Sequence, residues 1–113
     1  MTPAMPMTEA DDVLAALGDA TRRAIHRIVL QGPQSVSALA QALGVTLTAI
    51  SQHVRILQAC GLLQTRKVGR VRICEMDRRG LDVLADWVAL NRQLWDSRFD
   101  ALDAMLHEGD GAQ

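Results

Sequence analysis

Aromatic side chains are scarce in this sequence. Two Trp, one Phe and no Tyr make up 3% of the chain, so a core must be built from Leu, Val, Ile, Ala and Met. So few large rings limit the area one copy can bury, which favours a dimer. Two cysteines, Cys60 and Cys74, are too few for a disulfide framework. No apolar run approaches the roughly 18 residues of a membrane span. The opening MTPAMPM has no basic stretch ahead of an apolar one, so no signal peptide is expected. The chain reads as cytoplasmic, with no membrane partner. It also lacks a Ser/His/Asp ordering, a Gly-rich phosphate loop and paired carboxylates in an apolar setting. It is therefore not expected to be an enzyme, and no cofactor is expected.

Net charge is small as well, -1 over 113 residues. That total conceals a strong segregation. Residues 1–19 carry -4, residues 20–45 carry +3, residues 46–79 carry +5 and residues 80–113 carry -5. A basic middle between acidic ends is a local electrostatic footprint of the kind that meets nucleic acid.

Residues 1–7 hold two prolines and no periodicity and are expected to be a disordered tail, as are 109–113. Between them, 8–108 reads as one domain. Thr8, with Glu9, Asp11 and Asp12 behind it, starts a helix whose apolar side is Val13, Leu14 and Leu17 and which Gly18 ends. Asp19 caps a second helix, Ala20–Leu30, with Ala24, Ile25, Ile28 and Val29 inward; His26 on it reads as structural or solvated. Gly32-Pro33 closes that helix. Ser35-Val36 is short and extended, and Ser37 is expected to cap a third helix, Ala38–Leu43. After Gly44, Thr46 or Thr48 caps a fourth helix that runs to Cys60. Two helices joined by a short Gly-containing turn are a helix-turn-helix signature.

On that fourth helix Ile50, Val54 and Leu57 share a narrow apolar stripe at 100° per residue. Thr48, Gln52, Arg55 and Ala59 fall on the opposite side, mostly polar and carrying a cation, which suits base edges in a DNA major groove. His53 lies on the border between the faces, where its ring can pack and donate to a phosphate or carbonyl.

Leu62–Met76 then changes to a period of two around Val68-Gly69-Arg70, a β-hairpin whose tip carries Arg66, Lys67, Arg70 and Arg72. Asp77 caps the last helix, roughly Arg79–Glu108. It has two apolar stripes and holds Trp87, Trp95 and Phe99. The second stripe wants a partner, most simply the same helix of another copy.

The stretches LGDATRRAIHRIV (17–29), VSALAQALGVTLTAISQHVRILQACGLL (36–63) and RKVGRVRICEMD (66–77) resemble the ArsR/SmtB family of winged-helix transcriptional repressors. The likeness covers roughly residues 12–106. It rests chiefly on Leu17-x-Asp19-x-Thr21-Arg22, Ser51-Gln52-His53 with Leu57 and Gly61-Leu62, and Gly69-Arg70. It implies a homodimer that binds an operator of imperfect two-fold symmetry and is released by an inducer. By position it implies that Thr48, Ser51, Gln52 and Arg55 face DNA and that Arg70 meets the minor groove or its phosphates.

The chain departs from the metal-sensing members. Ser35 and Ser37 stand where the arsenic sensors carry a Cys-x-Cys pair, and Ser is a poor ligand for a soft metalloid. The last helix has acids at Asp82, Asp86, Asp96, Asp100 and Asp103 but a single His, His107. No metal site is expected.

The expectation is a mainly α winged helix-turn-helix with a small β-hairpin and a long C-terminal dimerisation helix, acting as a homodimeric repressor on a palindromic double-stranded operator. The DNA-facing set is Thr46, Thr48, Ser51, Gln52, Arg55, Arg66, Lys67, Arg70 and Arg72. The dimer set is Val13, Leu14, Leu17, Trp87, Leu90, Leu94, Trp95, Phe99 and Leu102. A small-molecule or redox inducer is left unidentified. Two alternatives stay open: a thiol-based redox or metalloid sensor through Cys60 and Cys74, and a protein-interaction module that has lost DNA binding.

Overall fold

A computed structural model describes residues 9–111. The expected tail at 1–7, the Thr8 cap and residues 112–113 lie outside the described residues. The elements run α1 (Glu9–Leu17), α2 (Ala20–Leu30), β1 (Gln34–Ser35), α3 (Val36–Leu43), α4 (Leu47–Ala59), β2 (Leu63–Val68), β3 (Val71–Met76) and α5 (Arg79–Gly111). This is a winged helix-turn-helix, mainly α, with a long C-terminal helix.

Short polar side chains set the helix starts by accepting from orphan backbone N–H groups. The Asp19 carboxylate accepts from Arg22 N–H at 3.0 Å, and Thr46 Oγ1 accepts from Ala49 N–H at 3.1 Å. Thr46 is thus the α4 cap, which leaves Thr48 free on the exposed side. The third helix begins earlier than the sequence suggests. Ser35, and not Ser37, is its cap, with Oγ accepting from Ala38 N–H at 3.0 Å. Both are serines, and only the backbone path decides between them: Ser35 is extended at φ -73, ψ 154, while Val36 and Ser37 are already helical.

The path is set by a strand that two residues are too few to reveal in sequence. β1 pairs antiparallel with β3, Gln34 opposite Cys74 and Ser35 opposite Ile73. β3 pairs on its other side with β2, giving a three-stranded sheet in the order β1-β3-β2. The hairpin turns tightly at Gly69-Arg70 between paired Val68 and Val71, with Gly69 at φ 64, a left-handed backbone that glycine adopts without Cβ strain.

The core joins all the early elements. Val13, Ile25, Leu39, Ile50, Leu57, Leu62, Leu63 and Cys74 are each 0% exposed. The α4 stripe of Ile50, Val54 and Leu57 is buried as expected. One expectation is corrected. Val13 lies wholly inside its own protomer and cannot meet a second copy: α1 turns Ala10, Val13 and Ala16 inward, whereas Leu14 remains 37% exposed. His26 is buried with Ile25 and Val29, so the inner face of α2 is broader than the apolar pattern alone implies.

α5 packs its first turns, Leu81, Val83 and Leu84, against the core. From Ala85 to His107 every residue is exposed. The helix continues to Gly111, through 109–111 where a tail was expected; no proline follows Pro33 to remove a helical hydrogen bond.

Candidate nucleic-acid interface

The α4 helix presents its two faces as its period dictates. With Ile50, Val54 and Leu57 inward, Thr48, Gln52 and Arg55 are exposed and Ser51 is half-buried at the flank. At the wing side, Thr65 Oγ1 on β2 donates to Gln58 Oε1 at 3.1 Å. This bond ties the C-terminal half of α4 to the hairpin.

The hairpin sorts its cations by strand parity. Leu63, Thr65 and Lys67 lie on one face with Met76, Cys74 and Arg72 opposite them. Leu63 and Cys74 are buried there, so Lys67 and Arg72 continue the core-facing side outward past its edge. Arg66 lies on the other face, where its Nε donates to Glu75 Oε1 at 3.1 Å. Arg66 is thereby set apart from the other wing cations. Its exposed pair is weak, but half its charge partnership is already local.

Ser51 on α4 and Arg70 and Arg72 on the wing line one cavity of about 310 Å³ with Val36, Ser37, Leu47 and Val71. Among the described residues no carboxylate lines it. Among the described residues no acid pairs with Arg55, Lys67, Arg70 or Arg72. The notch between helix and wing is thus edged by free guanidinium groups and hydroxyls, donors that suit phosphate and base edges.

The far flank of α4 holds a contact that the sequence did not signal. Arg22 Nη1 lies 3.3 Å from His53 Nδ1, and Asp19 Oδ2 lies 3.9 Å from the same nitrogen. The Arg22 Nε donates to the Ala16 carbonyl at 2.7 Å and Nη2 to that of Ala15 at 3.3 Å, while Arg23 Nη1 donates to the Leu17 carbonyl at 2.7 Å. Two arginines thus satisfy the C-terminal carbonyls of α1. The N–H bond from Arg22 holds the Asp19 carboxyl below its ordinary pKa. The only trace of this in sequence is that Asp19, Arg22 and His53 all fall in the quoted motifs.

The two thiols are withdrawn from solvent to different extents. Cys74 is fully buried in the central strand, and Cys60, half-buried at the end of α4, donates to the Leu57 carbonyl at 3.4 Å. Burial pushes both thiols above their ordinary pKa, which disfavours the nucleophilic thiolate. Among the described residues no group of three or more His, Cys, Asp or Glu is placed to hold a metal ion, and no helix is long and apolar enough to cross a membrane.

The expected dimer residues separate into two groups. Leu17 is partly buried, packed against the core. Trp87, Leu90, Leu94, Trp95, Phe99 and Leu102 on α5 are 39%, 54%, 56%, 60%, 53% and 52% exposed. Trp95 and Phe99 stack edge to face with centroids 5.0 Å apart, and both line an apolar groove of about 420 Å³ with Leu102 and Met105.

Comparison with known proteins agrees with this architecture. A family model for bacterial regulatory proteins of the arsR family matches residues 19–65, the span from the Asp19 cap to Thr65. Over 74 residues the chain is 39% identical to the HTH-type transcriptional regulator Rv2034 of Mycobacterium tuberculosis, covering 66% of this chain and 69% of that protein. An ArsR-like transcriptional regulator from Rhodococcus sp. RHA1 superposes with a TM-score of 0.77 at 36% identity, covering 86% of this chain and 92% of that one. The homodimeric winged helix-turn-helix DNA-binding domain Mb0332 of Mycobacterium bovis superposes with a TM-score of 0.60 at 27% identity, covering 85% and 90%. The chain belongs to the arsR family of bacterial transcriptional regulators.

Proposed function

We propose that the protein is a homodimeric repressor that binds a palindromic operator through α4 and the wing. The observation that carries the reading is the notch where Ser51, Arg70 and Arg72 meet, flanked by the exposed Thr48, Gln52 and Arg55 and free of acids. Arg70, Arg72 and Lys67 neutralise phosphates and fix position, while Thr48, Gln52 and Arg55 reach base edges and fix sequence. Thr46 stays at the DNA end of α4 as its cap, and Arg66 contributes at the outer face of the wing. Symmetry comes from α5. Its exposed apolar face, with Trp95 and Phe99 at the centre, exceeds what a lone protomer leaves to water, and a second copy covers it by two-fold pairing. Leu14 on α1 borders the same interface. Two α4 helices related in this way enter successive major grooves about one helical turn apart.

Selecting bound duplexes from a random pool tests this. A palindromic consensus supports it. Recovery of unenriched DNA at low salt would reduce the protein to a non-specific binder, and no DNA binding at all would make it an interaction module.

A further inference from the structure

We infer that His53 is a positioning residue for DNA recognition: its Nδ1, held by Arg22, clamps the reading helix α4 to the end of α1, and a proton on that nitrogen opens the clamp. The inference rests on the DNA-binding role of α4 proposed above.

Hydrophobic burial holds α4 down but is non-directional, so the Ile50, Val54 and Leu57 stripe does not by itself fix how far the helix is rolled. Directional bonds do that. Among the described residues two side-chain bonds tie α4 to other elements: Gln58 to Thr65 on β2, and His53 to Arg22. Residues 53 and 58 stand about 140° apart around a helix, so the two bonds restrain it from opposite flanks. Gln52, the candidate base reader, is adjacent to one of them.

The chemistry of the His53 bond follows from its partner. A guanidinium donates and has no lone pair, so at 3.3 Å Nδ1 must be the acceptor. The neutral ring therefore carries its hydrogen on Nε2. Protonation puts a hydrogen on Nδ1, and two donors then face each other. The ring must turn from Arg22 towards Asp19, 3.9 Å away. Arg22 cannot follow, because Nε and Nη2 are bound to the Ala16 and Ala15 carbonyls.

The neighbouring elements carry the following charged groups. α3 has no titratable side chain. α1 carries Glu9, Asp11 and Asp12 in its first turn, and Asp12 and Arg22 both act on the Cys60 thiol. On β2, Arg66 is paired with Glu75 and Lys67 is out on the wing. α2 supplies Asp19 and Arg22.

The direction of the effect separates this device from ordinary electrostatics. Added positive charge on a DNA-binding protein tightens binding to a polyanion, whereas an opened clamp loosens it. The test measures affinity for a selected operator by fluorescence anisotropy at about pH 8 and about pH 5.5, the span over which histidine side chains in general change charge. Circular dichroism confirms folding at both. The wild-type chain is expected to bind about three- to ten-fold more weakly at the lower pH, the size of one lost hydrogen bond. His53→Gln, whose amide oxygen can still accept from Arg22 but does not titrate, should bind like wild type at the higher pH and show no loss at the lower. His53→Leu should be weak at both.

Unchanged or tighter wild-type binding on acidification overturns the inference, as does a full pH step in His53→Gln or wild-type affinity in His53→Leu. If either variant does not fold, ¹⁵N NMR of the wild-type ring decides: Nδ1 must be bare at the higher pH, and a proton found there overturns the clamp. If the wild-type chain binds no DNA at the higher pH, the DNA-binding reading fails, and the NMR result still decides the Arg22 contact separately.

Discussion

The amide of Gly80 donates to the carbonyl of Gly61 at 2.8 Å, and a Cβ on Gly80 would fall 2.9 Å from that oxygen and 3.0 Å from the carbonyl oxygen of Cys60. The start of α5 is therefore seated directly on the backbone that ends α4. Both obstructing atoms are main chain, so no side chain can swing aside. Gly80→Ala is expected to destabilise the fold by about 1–3 kcal/mol, read as a lower Tm, and to weaken operator binding in the molecules that remain folded. A variant with wild-type Tm would show that the helices separate freely.

Gln52 and Arg70 should fail in different ways. Gln52→Ala is expected to cost about 1–3 kcal/mol at one or two operator base pairs and relax specificity there. Arg70→Ala should weaken all sequences alike and reduce the salt slope by about one. Arg66→Ala, its charge shared with Glu75, should change that slope less than Arg70→Ala. Binding titrations on matched and mismatched duplexes over a salt series check all three; equal slopes for Arg66→Ala and Arg70→Ala would contradict the division of the wing into two faces.

Trp95→Ala removes half of an edge-to-face pair and the largest side chain of the α5 groove. Sedimentation should show a shift from dimer to monomer at micromolar concentration, with operator affinity falling in parallel. A tight, DNA-competent dimer in this variant would place the interface elsewhere.

His26 provides a test of stability against pH. It is 7% exposed, its Nε2 has no hydrogen-bond partner among the described residues, and burial holds its pKa below the ordinary imidazole value. The unfolded chain therefore takes up a proton near about pH 6.5 while the folded chain does not. Stability from this group is present above that pH and is lost as pH falls below it. His26→Leu should flatten the fall in Tm between neutral and mildly acidic solution. A fall as steep as that of wild type would assign the acid sensitivity to other groups.

The faces of α4 were legible because three apolar residues at 50, 54 and 57 obey a single period and because caps and glycines bracket them. The hairpin was legible from its change of period and its Gly69-Arg70 turn. Other features depend on backbone path or on distant partners. Whether Ser35 or Ser37 starts α3 is decided by pairing to β3, nearly forty residues away in sequence. His26 looked indifferent because a polar residue within an amphipathic helix gives no sign of burial. Val13 fitted an apolar stripe, but the stripe could not say whether its own core or another copy would cover it. Arg22 and His53 are 31 residues apart, and no local rule joins them.

The small β1 strand has a consequence for the operator. It fastens the entrance of α3 to β3, while Thr65 and Gln58 fasten the exit of α4 to β2. Helix-turn-helix and wing are thus one rigid gauge of fixed span. On the binding mode proposed above, a half-site must present its groove and its flanking phosphates at that one spacing. On the same reading, any tolerance for inserted or deleted base pairs lies at the operator's centre, between the halves, where the compliance of the paired α5 helices sets the limit.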